Sequence, residues 1–157
     1  MTYLVTRSII LGLFAAIALA EAGMKPIIIE RGQPVERRGR AIGALFNRKV
    51  LDPESNLCYG EGGAGTWSDG KLTTRIGKNS ANVRWVLDAL VRHGAPERIL
   101  IDGKPHLGTD RLVRILKEVR RTLVERGVTF LFDSRVEDFI IDESCSSLDK
   151  RTISGLR

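Results

Sequence analysis

Residues 12–32 read GLFAAIALAEAGMKPIIIERG, and the fold turns on how this stretch divides. Leu13, Ala16, Ile17 and Ala20 recur at helical spacing in an alanine-rich run, which predicts a helix with one apolar face. Gly23 is placed to end that helix in a left-handed cap. Ile27, Ile28 and Ile29 follow as a β-branched run ending at Glu30, the pattern of a buried parallel strand. Residues 3–10 supply a preceding strand. Strand, helix and strand then occupy residues 1–32, about the length of one βαβ unit.

The same segment has a second reading. Arg7 precedes the apolar run of residues 8–20, and Ala18-Leu19-Ala20 is a small-residue site of the kind cut in secretory signals. The run is too short to span a bilayer. The strand that follows it explains the run better, so retention of residues 1–20 is expected and secretion is not.

The chain has 157 residues, enough for one domain with its own core, and its 43% hydrophobic and 28% charged content is globular. Twenty-five basic residues against 19 acidic ones give a net charge of +6. That balance suits an anionic ligand, but the cations are dispersed and form no tract for nucleic acid. Cys58 and Cys145 are far apart, and with only His93 and His106 besides, no zinc spacing exists. A reduced, intracellular setting is the simplest expectation, with no metal and no membrane partner.

Further along, residues 33–57 are polar and irregular, with Arg37, Arg38 and Arg40 close together and Pro53 breaking any helix. A glycine loop follows at 59–71. Helices are expected at about 80–93 and 109–126. The first has Ser80 as N-cap and Val83, Val86, Leu87 and Leu90 as its stripe. The second has Thr109 as N-cap and Leu112, Ile115, Leu116, Val119 and Leu123 as its stripe, with Asp110 favouring its positive end. Gly94 and Gly127 close them. Strands are expected at about 128–142 and 151–157.

The loop YGEGGAGTWSDGK, residues 59–71, fits two phosphate-binding patterns at once. Gly60, Gly62 and Gly65 have dinucleotide-loop spacing, but no helix start follows. Gly65, Gly70 and Lys71 approach a P-loop, yet Leu72 stands where a magnesium-binding Ser or Thr is needed. The position for a dinucleotide loop is before the first helix. Counting back from Gly12, the two earlier motif positions carry Arg7 and Ile9. A flexible surface loop with glycines serving turns is one account of 59–71. The density of glycine and the company of Thr66, Ser68, Asp69 and Lys71 stand against it, and backbone N–H groups exposed without side chains suit close approach to an anion or a flat ring.

Taken in order, GLFAAIALAEAG, PIIIERG, VLDPESN, YGEGGAGTWSDGKLTTRI, GAPERIL and KPHLGTDRL resemble a family of FAD-dependent dehydrogenases of bacteria and plastids. These are flavoproteins with a glutathione-reductase-like FAD domain, and the resemblance runs from Gly12 to Arg157. It implies an α/β, Rossmann-like FAD-binding domain with a βαβ start and a β-meander at its C-terminal end. That domain would be incomplete here, because the family's members are longer. It also implies FAD as cofactor, dehydrogenase-like chemistry on an unspecified small-molecule substrate or electron acceptor, and a cytoplasmic or plastid location.

Matched by position, Gly12 is the glycine that lets helix and strand pack closely, and Glu30 would accept the ribose hydroxyls of the adenosine half. Arg31 would lie beside adenine and ribose. Gly62, Gly63, Ala64, Gly65 and Ser68 would face the pyrophosphate or flavin, and the backbone of Val136 would meet the adenine edge. His106 is a candidate acid/base or a structural hydrogen-bonding group. Asp69 and Lys71 touch substrate or pair with each other. No catalytic residue is assigned, since the flavin carries the redox chemistry. The alternatives are a non-catalytic remnant without cofactor and a P-loop nucleotide-binding protein.

Overall fold

Three short strands, Tyr3–Val5 (β1), Ile27–Ile29 (β2) and Thr129–Leu131 (β3), form a parallel sheet with β2 in the middle. Tyr3 lies opposite Ile27, and Ile27 opposite Thr129. The computed structural model describes residues 3–5, 9–72, 80–142 and 152–157. Ile28, central in the sheet, is buried. A strand flanked on both edges by parallel neighbours needs this uninterrupted apolar, β-branched composition.

Between β1 and β2 runs the helix Ile9–Glu21 (α1), which buries Leu13, Ala16 and Ile17. Gly23 ends it at φ 79°, with its N–H donating to the Ala20 carbonyl. Residues 3–10 are therefore not one strand: β1 stops at Val5, and Ile9 is already helical. The long helix Thr109–Glu125, labelled α5 below, buries Ile115, Leu116, Val119 and Leu123 and packs against α1 and β3. Gly108, not Thr109, occupies its cap position. The Thr109 hydroxyl donates instead to the Ser68 carbonyl at 3.0 Å, tying the helix to the glycine loop.

The irregular segment expected at 33–57 is in large part a helix, Val35–Arg48 (α2). Its buried positions are Val35, Arg38 and Ile42, spaced by three and four residues, so the arginine stands in the apolar stripe. A four-residue helix, Gly63–Thr66 (α3), lies within the glycine loop. Ala81–Arg92 (α4) follows, then a 3₁₀ turn at Glu97–Leu100. Only Ala89 of α4 is buried; its predicted stripe of Val83, Val86, Leu87 and Leu90 is half-covered.

The strand expected over 128–142 is two strands. Asp133 adopts φ 52° just past β3 and breaks the run. The chain then forms Phe139–Asp142 (β4), which pairs antiparallel with Thr152–Leu156 (β5), with an irregularity between Ile140 and Ile141. The class is α/β, with helices around a small parallel sheet and a separate antiparallel pair. The meander expected from the resemblance is this two-stranded pair, and three parallel strands do not make up a doubly wound sheet. Among the described residues no helix is long and apolar enough to cross a membrane.

Because α1 supplies three core residues and β1 covers one edge of β2, a chain starting at Glu21 should not fold. Residues 21–157 should give no cooperative urea transition by far-ultraviolet circular dichroism. A transition as sharp as that of the full chain would contradict this packing and favour a removable leader.

Candidate functional site

The glycine loop is wound around one side chain. Arg38, on the buried face of α2, is 0% exposed. Its Nη1 donates to the carbonyls of Glu61 at 2.6 Å and Gly63 at 2.9 Å. Its Nη2 donates to those of Asn56 at 2.7 Å and Leu57 at 3.2 Å. A planar fork of donors suits this, because each nitrogen reaches two carbonyls in a fixed geometry. Burial lowers the guanidinium pKa to about 10, partly opposed by Glu30 and Glu61, so the group stays charged at neutral pH.

The close winding accounts for several of the loop's glycines. Gly60 has φ 105°, and a Cβ there would stand 2.5 Å from Arg38 Cδ. Gly62 has φ 84°, and a Cβ would lie 1.9 Å from Thr66 Oγ1 and 2.4 Å from Leu116 Cδ1. A Cβ on Gly70 would meet the backbone N of Gly108 at 2.4 Å. These glycines are required by the protein's own packing. Gly63, at φ 59°, has nothing within 4 Å of the corresponding position.

Glu61 sits inside the same knot and is 0% exposed. Its Oε2 accepts the Val35 N–H at 2.8 Å, at the start of α2, and Arg120 Nη1 at 2.7 Å, from α5. Its Oε1 is buried without a hydrogen-bond partner. Arg120 also grips Glu36 through Nη2, at 2.8 Å to each carboxylate oxygen. Burial pushes the Glu61 carboxyl up to about 7; the Val35 N–H and Arg120 oppose the shift, and Glu36 adds to it. One carboxylate thus joins α2, α5 and the glycine loop, and it holds its proton near neutrality.

Glu30, at the end of β2, is 8% exposed. Its Oε1 accepts the N–H groups of Gly32 at 2.7 Å and Gly60 at 2.9 Å, fastening the strand end to the loop. Oε2 takes no hydrogen bond from the described residues. Arg31 pairs with the Glu54 carboxylate, donates to the Pro53 carbonyl at 3.2 Å and lies 4.3 Å over the Tyr59 ring. The Arg31 hydrogen bond holds the Glu54 carboxyl below its usual range.

Of the other expected site residues, Gly12 is buried in the first turns of α1. Ala64 and Gly65 are exposed on α3, and the Ser68 hydroxyl donates to the Gly65 carbonyl at 2.8 Å. Val136 lies in the link between β3 and β4, outside any strand. Asp69 and Lys71 pair with each other at 2.7 Å. His106 is exposed, and its backbone bridges antiparallel to Lys71. Glu30, Arg31 and the loop are thus brought together, whereas Val136 contacts none of them through a described hydrogen bond. Arg7 lies outside the described residues, as does the side chain of Ile9. Among the described residues, no group of three or more His, Cys, Asp or Glu side chains could hold a metal ion.

Sequence reasoning missed Arg38, Glu61 and Arg120. A signal for the first was present: Val35, Arg38 and Ile42 share one helical face. Nothing in the sequence pairs Glu61 with Arg120, 59 residues away.

No protein-family model matches the chain. Over 126 residues, 80% of its length, it is 43% identical to an uncharacterized protein of Clostridium beijerinckii. The aligned part is 23% of that relative, so the chain spans about a quarter of it. These findings correct the resemblance to FAD-dependent dehydrogenases: the relative bears no flavoprotein designation, and no family model supplies one.

The raised pKa of Glu61 makes stability depend on pH. The folded state binds the Glu61 proton more tightly than the unfolded chain, whose value is near 4.5. The resulting stabilisation is complete below about pH 4.5 and fades as pH rises through about 7, by on the order of 3 kcal/mol. Urea titrations at several pH values should show this fall for the native protein and a flatter profile for Glu61→Gln. Parallel profiles would place the titration elsewhere.

Proposed function

We propose that the chain is the adenosine-side part of a dinucleotide-binding α/β domain that serves FAD-dependent oxidoreduction, and that as it stands it holds FAD weakly. The observation that carries this reading is Glu30. It ends the middle strand of a parallel β1-β2-β3 sheet whose first two strands flank α1, and it keeps one carboxylate oxygen outside its bonds to Gly32 and Gly60. An acidic side chain at that point of a βαβ unit is where a ribose diol is received.

The fit is good at this end. Glu30 Oε2 can accept ribose hydroxyls while Oε1 keeps the loop in place, and the packing around Gly63 leaves the backbone open for close approach. Bound flavin would supply hydride or electron transfer to a small-molecule substrate or acceptor. The chain's own residues bind and orient it, and none is assigned a proton-transfer role. Weak binding follows from Arg7 and Ile9 in the positions where a dinucleotide loop uses glycine.

A second reading, a remnant that takes no cofactor, draws on the loop itself. Gly60, Gly62 and Gly70 are required by contacts inside the protein, with no ligand needed to explain them. The P-loop reading has no comparable support, since Lys71 is paired with Asp69 and its backbone bridges to His106.

Equilibrium titration with FAD separates the two. The unmodified chain should bind weakly, and Arg7→Gly/Ile9→Gly should tighten binding by about tenfold or more, the effect of letting backbone approach the pyrophosphate. Adding Glu30→Gln, which keeps an acceptor for Gly32 and Gly60, should then cost about 1–3 kcal/mol. No flavin binding by either form would favour the remnant. Tight binding by the unmodified chain would refute the role given to Arg7 and Ile9.

A further inference from the structure

We propose that Glu54 sets the nucleotide class at the adenosine end: by occupying Arg31 it admits a ribose with a free 2′-hydroxyl and excludes a 2′-phosphate. This rests on the reading of Glu30 as the ribose acceptor. A carboxylate at the strand end favours the diol, whereas a nearby arginine accommodates a 2′-phosphate. Here the two are neighbours in the chain, Glu30 and then Arg31, so the outcome depends on what Arg31 is free to bind.

Arg31 is engaged where a phosphate would be clamped. Its Nε donates to Glu54 Oε2, and its Nη2 donates to Glu54 Oε1 at 3.1 Å and to the Pro53 carbonyl at 3.2 Å. Bidentate recognition of a phosphate needs two donors side by side on one edge of the guanidinium. Glu54 closes the edge made by Nε and Nη2, and the other edge shares Nη2 with it. Neither edge therefore offers two open donors, and one face of the plane lies 4.3 Å over the Tyr59 ring. The chain's own turns hold this arrangement. Asp52 Oδ1 accepts the N–H of Glu54 at 2.9 Å, and Asn56 Oδ1 accepts that of Tyr59 at 3.3 Å. Arg135 is committed as well, with Nη1 3.5 Å from Glu54 Oε1 and Nη2 paired with Glu137. A 2′-phosphate would bring further negative charge to Glu30 and Glu54 with both arginines already taken.

Calorimetric titration of the Arg7→Gly/Ile9→Gly chain with ADP-ribose and with its 2′-phosphate tests this, because the two ligands differ in that one group. ADP-ribose should bind about tenfold or more tighter, the scale of an unmatched charge near two carboxylates. Glu54→Ala, which releases Arg31, should reduce that preference by about tenfold, the effect of a charge-assisted hydrogen bond gained by the phosphate. Its urea midpoint should stay near that of the parent, since a partly exposed ion pair contributes little to stability. Adding Arg31→Gln should restore the preference. Glu137→Gln, which removes as much negative charge but leaves Arg31 occupied, should not alter it. The proposal is overturned by a preference that is absent from the start or unmoved by Glu54→Ala. It is also overturned by one that falls equally with Glu137→Gln or stays reduced without Arg31. Binding of neither nucleotide overturns the ribose reading of Glu30, and this inference with it.

Discussion

A single buried guanidinium holds the loop that the rest of the site is built on. Arg38 takes four carbonyls, from Asn56 to Gly63, onto two nitrogens. Carbonyls turned inward in this way leave the loop no room for side chains on the inner side. Glycine at 60, with positive φ, follows from that geometry, whereas Gly62 is required by Thr66 and Leu116. Density of glycine, which suggests a phosphate cradle on paper, here reflects close packing within the protein: Gly60 against Arg38, Gly62 against Thr66 and Leu116, Gly70 against Gly108.

Burying that charge needs compensation. Removing a cation from water costs several kcal/mol, and the bonds of Nη1 and Nη2 together with nearby carboxylates offset it, while Nε is buried without a hydrogen-bond partner. Glu30 and Glu61 both raise the Arg38 pKa against the effect of burial. They also do structural work of their own. Glu30 fixes the end of β2 to Gly60, and Glu61 fixes the start of α2 to Arg120 of α5. The sheet, both helices and the loop therefore converge on one polar knot beside the apolar core of α1 and α5. Arg120 extends it outward to Glu36 and over the Phe132 ring, 5.4 Å from its centroid.

Legibility in the sequence divided along physical lines. Where apolar spacing or a glycine stop controls the backbone, the reading was good: α1, α4 and α5 lie where their periodicity puts them, and Gly23, Gly94 and Gly127 all have positive φ. It failed at α2, because a charged residue in a helix core position reads as surface. It also failed beyond β3, where one left-handed aspartate divides a run of uniformly strand-like composition. The end of β2 at Glu30 was legible because the run switches there from isoleucine to a charge. Its bond to Gly60, like that of Glu61 to Arg120, joins residues too far apart in the chain for any local pattern to reveal. The similarity of motif strings to flavin dehydrogenases carried no geometry, and the comparisons with known proteins did not support it.

Substituting lysine for Arg38 tests the central claim most directly. Lysine keeps the charge and most of the length, but its single ammonium cannot reach carbonyls on both sides of the fork. Urea denaturation of Arg38→Lys should show a loss of about 3 kcal/mol or more, as expected when buried carbonyls lose their donors. A variant within about 0.5 kcal/mol of the native protein, the range of an ordinary surface change, would mean that the loop holds its shape without Arg38.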